Sequence, residues 1–426
     1  MKRTFLAMLP VLLVACLFYQ CTDSGSKSAE QIVDAAAKTR IDATLKSFID
    51  SGTIAGVSAL IYEKNQEVYF NAFGYANREE NIPMDRNTIV RIYSMTKPIT
   101  GVALMTLYEN GAFQLDDPLS KYLPEFADMK VATGVNEKGE LLLEPARRPI
   151  TIRDITRHTA GFANPDSTVL GEMVRKANLM NNSLTLSEMA KKLAALPLAF
   201  HPGDQWSYGI SVDVQAYLVE KLSGKPFDQY LQETIFNPLQ MTNTRYTVPD
   251  SDTTRFAALY YRSDDGVLSQ VSWDRASEFH RKDWPLKPGG WGLTSTLDDY
   301  MKFARMLVNK GQLNDVRILK PETVELMATN HLSDTITERM WLPSKGQVGF
   351  GIDFAVRTKE PADGEENNGV VGEFFWDGAA STLFWVDPKN ELAAVLFTQL
   401  MPFDRVKLHK RFRDAIYGPW EPKLAK

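Results

Sequence analysis

Apolar residues recur every three to four positions from about residue 30 to 52, in IVDAAAKTRIDATLKSFIDSG. That spacing predicts a helix, with Gly52 as its stop. Two β-type runs follow in GVSALIYEKNQEVYFNAFGYA, on either side of KNQE, and predict a hairpin. Helical spacing resumes after Ser94 in ITGVALMTLYENGAF and ends at Gly111. The middle of the chain reads as mostly helical, in TIRDITRHTAGF, LTLSEMAKKLAALPL, SVDVQAYLVEKLSG and PFDQYLQETIF. After Gly292, TSTLDDYMKFARMLVNKG predicts another helix, with Thr294 to Thr296 as cap candidates. STLFWVDPKNELAAVLFTQ predicts a second hairpin with proline in its turn, and FDRVKLHKRFRDAIYG a closing helix.

Strands near both ends and helices between them predict an α/β fold. Its sheet draws on both termini, and a mainly helical region, about 100–285, is inserted. TKEPADGEENNG is the most loop-like stretch and is expected to be exposed. No internal repeat is evident.

Composition narrows the function classes. The chain has 426 residues, 44% hydrophobic and 24% charged, which is globular. Its formal net charge is -5, and no strongly basic stretch marks a nucleic-acid surface. Both cysteines, Cys16 and Cys21, fall in the first two dozen residues. The body can therefore form no disulfide, thiol nucleophile or cysteine metal site. Lys2 and Arg3 precede FLAMLPVLLVACLFY, the anatomy of a secretory signal, and QCTDSGSKSAEQ follows as a polar tether. We expect a signal segment at 1–21, a tether at 22–39 and a domain at 40–418. Cys21 and Cys16 are alternative lipidation candidates: "LVAC" is the better acceptor context, while Cys21 leads into the better tether. Plain secretion is the third reading. The expected location is the periplasm, free or held at the membrane by a lipid.

The candidate chemistry starts at "YSMTKP", residues 93–98. Ser94 and Lys97 stand three apart where a helix begins, so Oγ and Nζ can meet on one face. A lysine acts as base only when neutral, and burial beside a helix N-terminus favours that form. The same helix end presents backbone N–H groups to a developing oxyanion. Pro98 is tolerated because it falls in the first turn. The bare pattern is common, and a serine is equally an ordinary helix cap.

The surrounding sequence is more specific. IYSMTKPITGVALMTLYENGAFQLDDPLSKYLPEF resembles the nucleophile segment of serine β-lactamases and penicillin-binding proteins, in the branch of class C β-lactamases and family VIII carboxylesterases. TIRDITRHTAGF, GGWGLTSTLDDYMKFARML from Gly289 and FFWDGAASTLFWVDP from Phe374 resemble further blocks of that family, in its order. The resemblance covers roughly residues 40 to 400. It implies a β-lactamase/transpeptidase-like fold with an antiparallel sheet flanked by helices. It implies Tyr208, in HPGDQWSYGI, as a second proton carrier, and the N–H groups of Ser94 and Ala379 as an oxyanion hole. The family's Lys-Thr-Gly strand reads Trp376-Asp377-Gly378 here, like the Trp-Gly-Gly of the esterases. A lysine there would pair with a substrate carboxylate. Trp376 would pack on an acyl or alcohol group instead, and Gly378 would let substrate approach the backbone. Ile210 stands where the β-lactamase asparagine would be. Both departures disfavour turnover of β-lactams.

Other chemistries find no support. The Gly-x-Ser-x-Gly elbow is absent, and the nearest stretch, Gly209 to Asp213, fails at its last position. The five histidines include no HExxH pair, and no phosphate-cradling loop occurs. His158, in RHTAGF, reads as a hydrogen-bonding structural residue. Trp206, Trp284, Trp291, Phe374, Phe375 and Trp376 fall in segments expected near an apolar cleft. The expectation is a serine hydrolase needing no cofactor or metal. It would form an acyl-enzyme on a small ester or amide and bind no nucleic acid. A carboxylesterase is preferred. The alternatives are a D-Ala-D-Ala-type carboxypeptidase or amide hydrolase, and a non-catalytic penicillin-binding-like module for cell-wall peptides.

Overall fold

A computed structural model describes residues 31–421 of the chain. The expected signal, Cys16 and Cys21 lie outside those residues. Helix α1, Ala35–Asp50, begins where the Asp34 carboxylate accepts the Ala37 N–H at 2.7 Å. It buries Ala37, Ile41, Leu45 and Phe48, the three-to-four stripe of the sequence. Strands β1, Gly56–Glu63, and β2, Gln66–Asn77, form the first hairpin. Its turn is Lys64-Asn65, at φ 51° and 61°. Two left-handed residues match the right-handed twist of the strands, so the turn inside KNQE shrinks to two residues.

Ile82–Pro83 adds β3 at the edge. The remaining strands come from the far end of the chain: β4, Val348–Phe350; β5, Ala355–Arg357; β6, Phe374–Asp377; β7, Leu383–Asp387; and β8, Leu392–Thr398. The order is β4-β5-β6-β7-β8-β1-β2-β3. Every neighbouring pair is antiparallel. The two termini meet where β1 pairs β8, Val57 opposite Thr398 through Glu63 opposite Leu392. In the β7–β8 turn the Asp387 carboxylate accepts the Lys389 and Asn390 N–H groups, each at 3.1 Å.

Both faces of this sheet are covered, so β7 and β8 read as unbroken apolar runs. Successive side chains point to opposite faces. Phe384 meets Tyr300 of helix α4, Leu297–Val308, at 5.0 Å between ring centroids. The next residue, Trp385, meets Phe412 of helix α5, Leu408–Tyr417, at 5.6 Å. Helix α4 therefore covers one face and α5, with α1 packed beside it, the other. The Thr296 hydroxyl caps α4, as the sequence predicts.

The inserted region holds helix α2, Thr96–Glu109, and helix α3, Ser211–Ser223, which pack together. Every residue of α2 from Thr96 to Leu107 is buried. Several predicted elements are shorter. TIRDITRHTAGF is helical only over Ile152–Thr156, because His158 turns left-handed at φ 61°. PFDQYLQETIF is one α turn, Phe227–Leu231, that widens into a π turn, Gln232–Phe236. Two short hairpins, Lys130–Val135 with Leu141–Pro145 and Tyr260–Arg262 with Leu268–Gln270, interrupt the helical region. Their strands are mostly exposed, so no buried face imposes a period-two pattern to read. Among the described residues no helix is long and apolar enough to cross a membrane.

One ion network ties α5 to the sheet. Glu373 accepts Arg357 Nε–H at 2.8 Å and Arg413 Nη1–H at 2.9 Å, and all three side chains are fully buried. Arg413 also lies 4.4 Å from the Trp385 ring centroid and 4.8 Å from that of Phe375. Removing the single anion strands two guanidinium groups in a dry layer. Glu373→Gln is expected to destabilise the fold by about 3–5 kcal/mol, read from urea denaturation midpoints. An unchanged midpoint would show that the network adds nothing to stability.

Candidate active site

The chain enters α2 through a strained corner. Val90–Arg91 pairs antiparallel with Thr294–Ser295, and Tyr93 then takes φ 45°. This reversal puts Ser94 on a short 3-10 turn, Tyr93–Met95, directly ahead of the helix. Pro98 sits in the first turn of α2, where no amide hydrogen is missed.

Lys97 Nζ lies 3.2 Å from Ser94 Oγ and 2.6 Å from the Gly290 carbonyl oxygen. The same helix face holds the rest of that segment. Thr100 Oγ1 donates to Gly289 O at 2.7 Å, and the Leu293 N–H donates to Thr96 Oγ1 at 3.3 Å. From behind, Asp213 on α3 accepts the Gly290 N–H at 3.0 Å. A side chain at 290 would place its Cβ 3.0 Å from Asp213 Oδ2 and 3.3 Å from Lys97 Nζ, so it would press on both groups that hold this residue. Asp213 thus holds the N–H of the same residue whose carbonyl meets the lysine, a link with no signature in the sequence.

Tyr208 approaches from the other side. Lys97 Nζ stands 4.5 Å from its ring centroid, and its hydroxyl accepts Trp376 Nε1–H at 3.2 Å. Asn164 Nδ2 donates to the Tyr208 carbonyl at 3.2 Å and to Ser207 Oγ at 3.1 Å. Behind the phenol lies His158, 4.7 Å away between centroids and packed against Trp206 and Phe350. Neither His158 ring nitrogen has a hydrogen-bond partner among the described residues. The expected hydrogen-bonding role gives way to aromatic packing. Burial, with the Lys97 charge added, holds this imidazole well below its ordinary pKa and therefore neutral.

At the end of β6 the Gly378 N–H donates to Thr382 O at 3.0 Å, and the Ser381 N–H returns to Gly378 O at 2.9 Å. Ser381 O in turn meets His409 Nε2 of α5 at 2.9 Å. This anchored turn carries Ala379. Ser94, Tyr208 and Ala379 line one cleft of about 430 Å³ with Trp341 and Phe403. A second chamber of about 390 Å³ also borders Tyr208 and is lined by Lys97, Asn164, Met180, Ile210 and Trp291.

Three sequence expectations change. Trp376 is 1% exposed and lines neither chamber; it acts on Tyr208, not on a substrate group. A Cβ at Gly378 would meet Ile92 O at 2.4 Å, so its missing side chain makes room for the protein's own backbone and not for substrate. Of the other aromatics, Trp291 lines the second chamber, Trp206 backs Tyr208, Phe374 and Phe375 are buried in the sheet, and Trp284 lies under Lys282. Asp377 does line the cleft, paired with Lys345, which the sequence reading did not single out.

A β-lactamase family model matches residues 41–417. Protein Rv1367c of Mycobacterium tuberculosis is 33% identical over 365 residues, covering 84% of this chain and 89% of that one. Lovastatin esterase of Penicillium rubens is 28% identical over 401 residues, covering 88% and 98%. The structure of EstCE1, described as a hydrolase with promiscuous acyltransferase activity, superposes with a TM-score of 0.72 at 26% identity, covering 91% of this chain and all of that one.

Burial raises the Asp213 carboxyl to about 6, against the pull of the Lys97 charge and the Gly290 N–H. A carboxyl raised above its unfolded value favours the fold while protonated, and that contribution is lost as pH rises through the folded value. Wild-type stability relative to Asp213→Asn is therefore expected to fall by roughly 2–3 kcal/mol between pH 4 and 7 and then level off. Paired denaturation curves across that range check it, and a difference independent of pH would refute it.

Proposed function

The chain belongs to the β-lactamase family, and from that membership we propose that it is a serine hydrolase acting through an acyl-enzyme on Ser94, most active as a carboxylesterase. The observation that carries this reading is the 3.2 Å contact of Lys97 Nζ with Ser94 Oγ, at a cleft that Tyr208 and Ala379 also line. Ser94 Oγ attacks the ester carbonyl while its proton passes to Lys97 and Tyr208. The N–H groups of Ser94 and Ala379 receive the oxyanion. Collapse expels the alcohol, which takes the proton back. Water then enters along the same path and releases the acid.

Several features support esters over β-lactams. Ile210 supplies no amide beside the reacting carbonyl. The nearby Asn164 amide is already engaged by Ser207 and Tyr208. Lovastatin esterase, a relative across nearly its whole length, bears an esterase name. Two chambers meeting at Tyr208 favour a second reading, in which an alcohol replaces water as acyl acceptor, as the description of EstCE1 states for that protein. Export, with a lipid on Cys21 or Cys16, completes the proposal; it rests on the N-terminal sequence.

Wild type is expected to hydrolyse short-chain p-nitrophenyl esters far faster than a chromogenic cephalosporin. Ser94→Ala should lose at least about 1,000-fold in kcat, and Tyr208→Phe about 100- to 10,000-fold. Cephalosporin turnover rivalling ester turnover would sink the esterase assignment, and activity surviving in Ser94→Ala would sink the nucleophile. Added butanol should yield butyl ester if the acyl-transfer reading is right, and free acid alone if it is wrong.

A further inference from the structure

The cleft in front of Ser94 has one charged feature, and it cancels itself. Among the described residues that line the cleft, only Lys345 and Asp377 carry charge. Their ammonium and carboxylate are in direct contact, with side chains 8% and 9% exposed. Lys345 arrives on the short helix Leu342–Lys345, and Asp377 ends β6 opposite Leu383 of β7. Three rings surround the ammonium, with centroids at 4.3 Å for Phe403, 5.4 Å for Trp341 and 5.5 Å for Trp376. Aromatic faces favour a cation but accept no strong hydrogen bond, so the carboxylate is its one anionic partner in this wall.

We propose that the Lys345–Asp377 pair sets the charge selectivity of the Ser94 cleft: Asp377 occupies an ammonium that would otherwise hold a substrate carboxylate, so neutral esters are accepted and anionic ones turned away. This rests on the ester reading of the site. An incoming carboxylate must displace Asp377 from the ammonium, or sit beside a like charge in a partly dry wall. Asp377 has little room to swing aside, because pairing holds its backbone and its side chain is mostly enclosed. Neutralising the acid alone leaves a cation caged by three rings and facing the cleft. The pair is thus a latent carboxylate site held shut by one residue.

The test uses ligand pairs that differ by one carboxylate: methyl butyrate with monomethyl glutarate, and phenyl acetate with 3-carboxyphenyl acetate. Dissociation constants are measured at low ionic strength in a Ser94→Ala background. Turnover then plays no part, and failure of the esterase assignment would show separately, in the wild-type ester assay. The readout is the ratio of anionic to neutral affinity within each variant, so a general loosening of the cleft cancels. Asp377→Asn should raise that ratio at least tenfold in one of the two pairs, and 0.5 M salt should shrink the gain. The gain should vanish in Asp377→Asn/Lys345→Met. Lys345→Met alone, which leaves Asp377 unpaired, should push the ratio below that of the parent, and it serves as the decisive variant if Asp377→Asn does not fold. Equal ratios in Asp377→Asn and the double variant, or a ratio that Lys345→Met leaves unchanged or raises, would overturn the proposal.

Discussion

The site is organised around one buried lysine head. Lys97 is 5% exposed, and its Nζ is met by a carbonyl from a segment almost two hundred residues away. A buried amine must find hydrogen-bond partners, and the partners here are Gly290 O and Ser94 Oγ. That requirement fixes much else. A side chain at Gly290 would crowd Asp213 and Lys97, Asp213 holds the Gly290 N–H from behind, and Thr96 and Thr100 pin its neighbours along the same helix. The serine is then where the lysine is, because the short 3-10 turn that carries Ser94 runs directly into the first turn of α2, which carries Lys97.

The sheet does comparable work on the opposite wall. Strand β6 ends in the turn that carries Ala379, and the turn is clamped by β7 on one side and by His409 of α5 on the other. Helix α5 is itself locked to the sheet through Arg413 and Glu373. A buried ion network far from the cleft thereby stands in the chain of contacts that places an amide near Ser94. The pairing of β1 with β8 closes the arrangement, since it joins the segment that leads to Ser94 with the one that carries Ala379.

Aromatic packing supplies the remaining constraint. Tyr208 is gripped by Trp376, Trp341, Trp206 and His158, so its hydroxyl is aimed by rings and by one indole N–H. A histidine kept neutral by burial suits this packing better than a charged one, which would set an unpaired buried charge beside Lys97 and Tyr208. The same rings that fix Tyr208 enclose Lys345, so the phenol and the selectivity pair share one aromatic wall.

Local pattern alone carried the helices and hairpins at both ends. The α1 stripe, the KNQE turn and the Thr296 cap are short-range features, and side chains a few residues apart decide them. The spacing of Ser94 and Lys97 was legible for the same reason, since one helical turn relates them. Tyr208 and the Trp376-Asp377-Gly378 stretch were legible only through family resemblance, which implied the proton-carrying role proposed for Tyr208 but not what Trp376 and Gly378 do. That Trp376 faces inward, that Gly378 makes room for Ile92 O, and that Asp377 meets Lys345 depend on contacts between segments far apart in the chain. Asp213 is the plainest instance. In the sequence it is one acid on a helix, and only the approach of Gly290 across the fold makes it the support beneath the lysine. Periodicity records which face of an element is buried. It does not record what that face meets, and the chemistry of this site lies in those meetings.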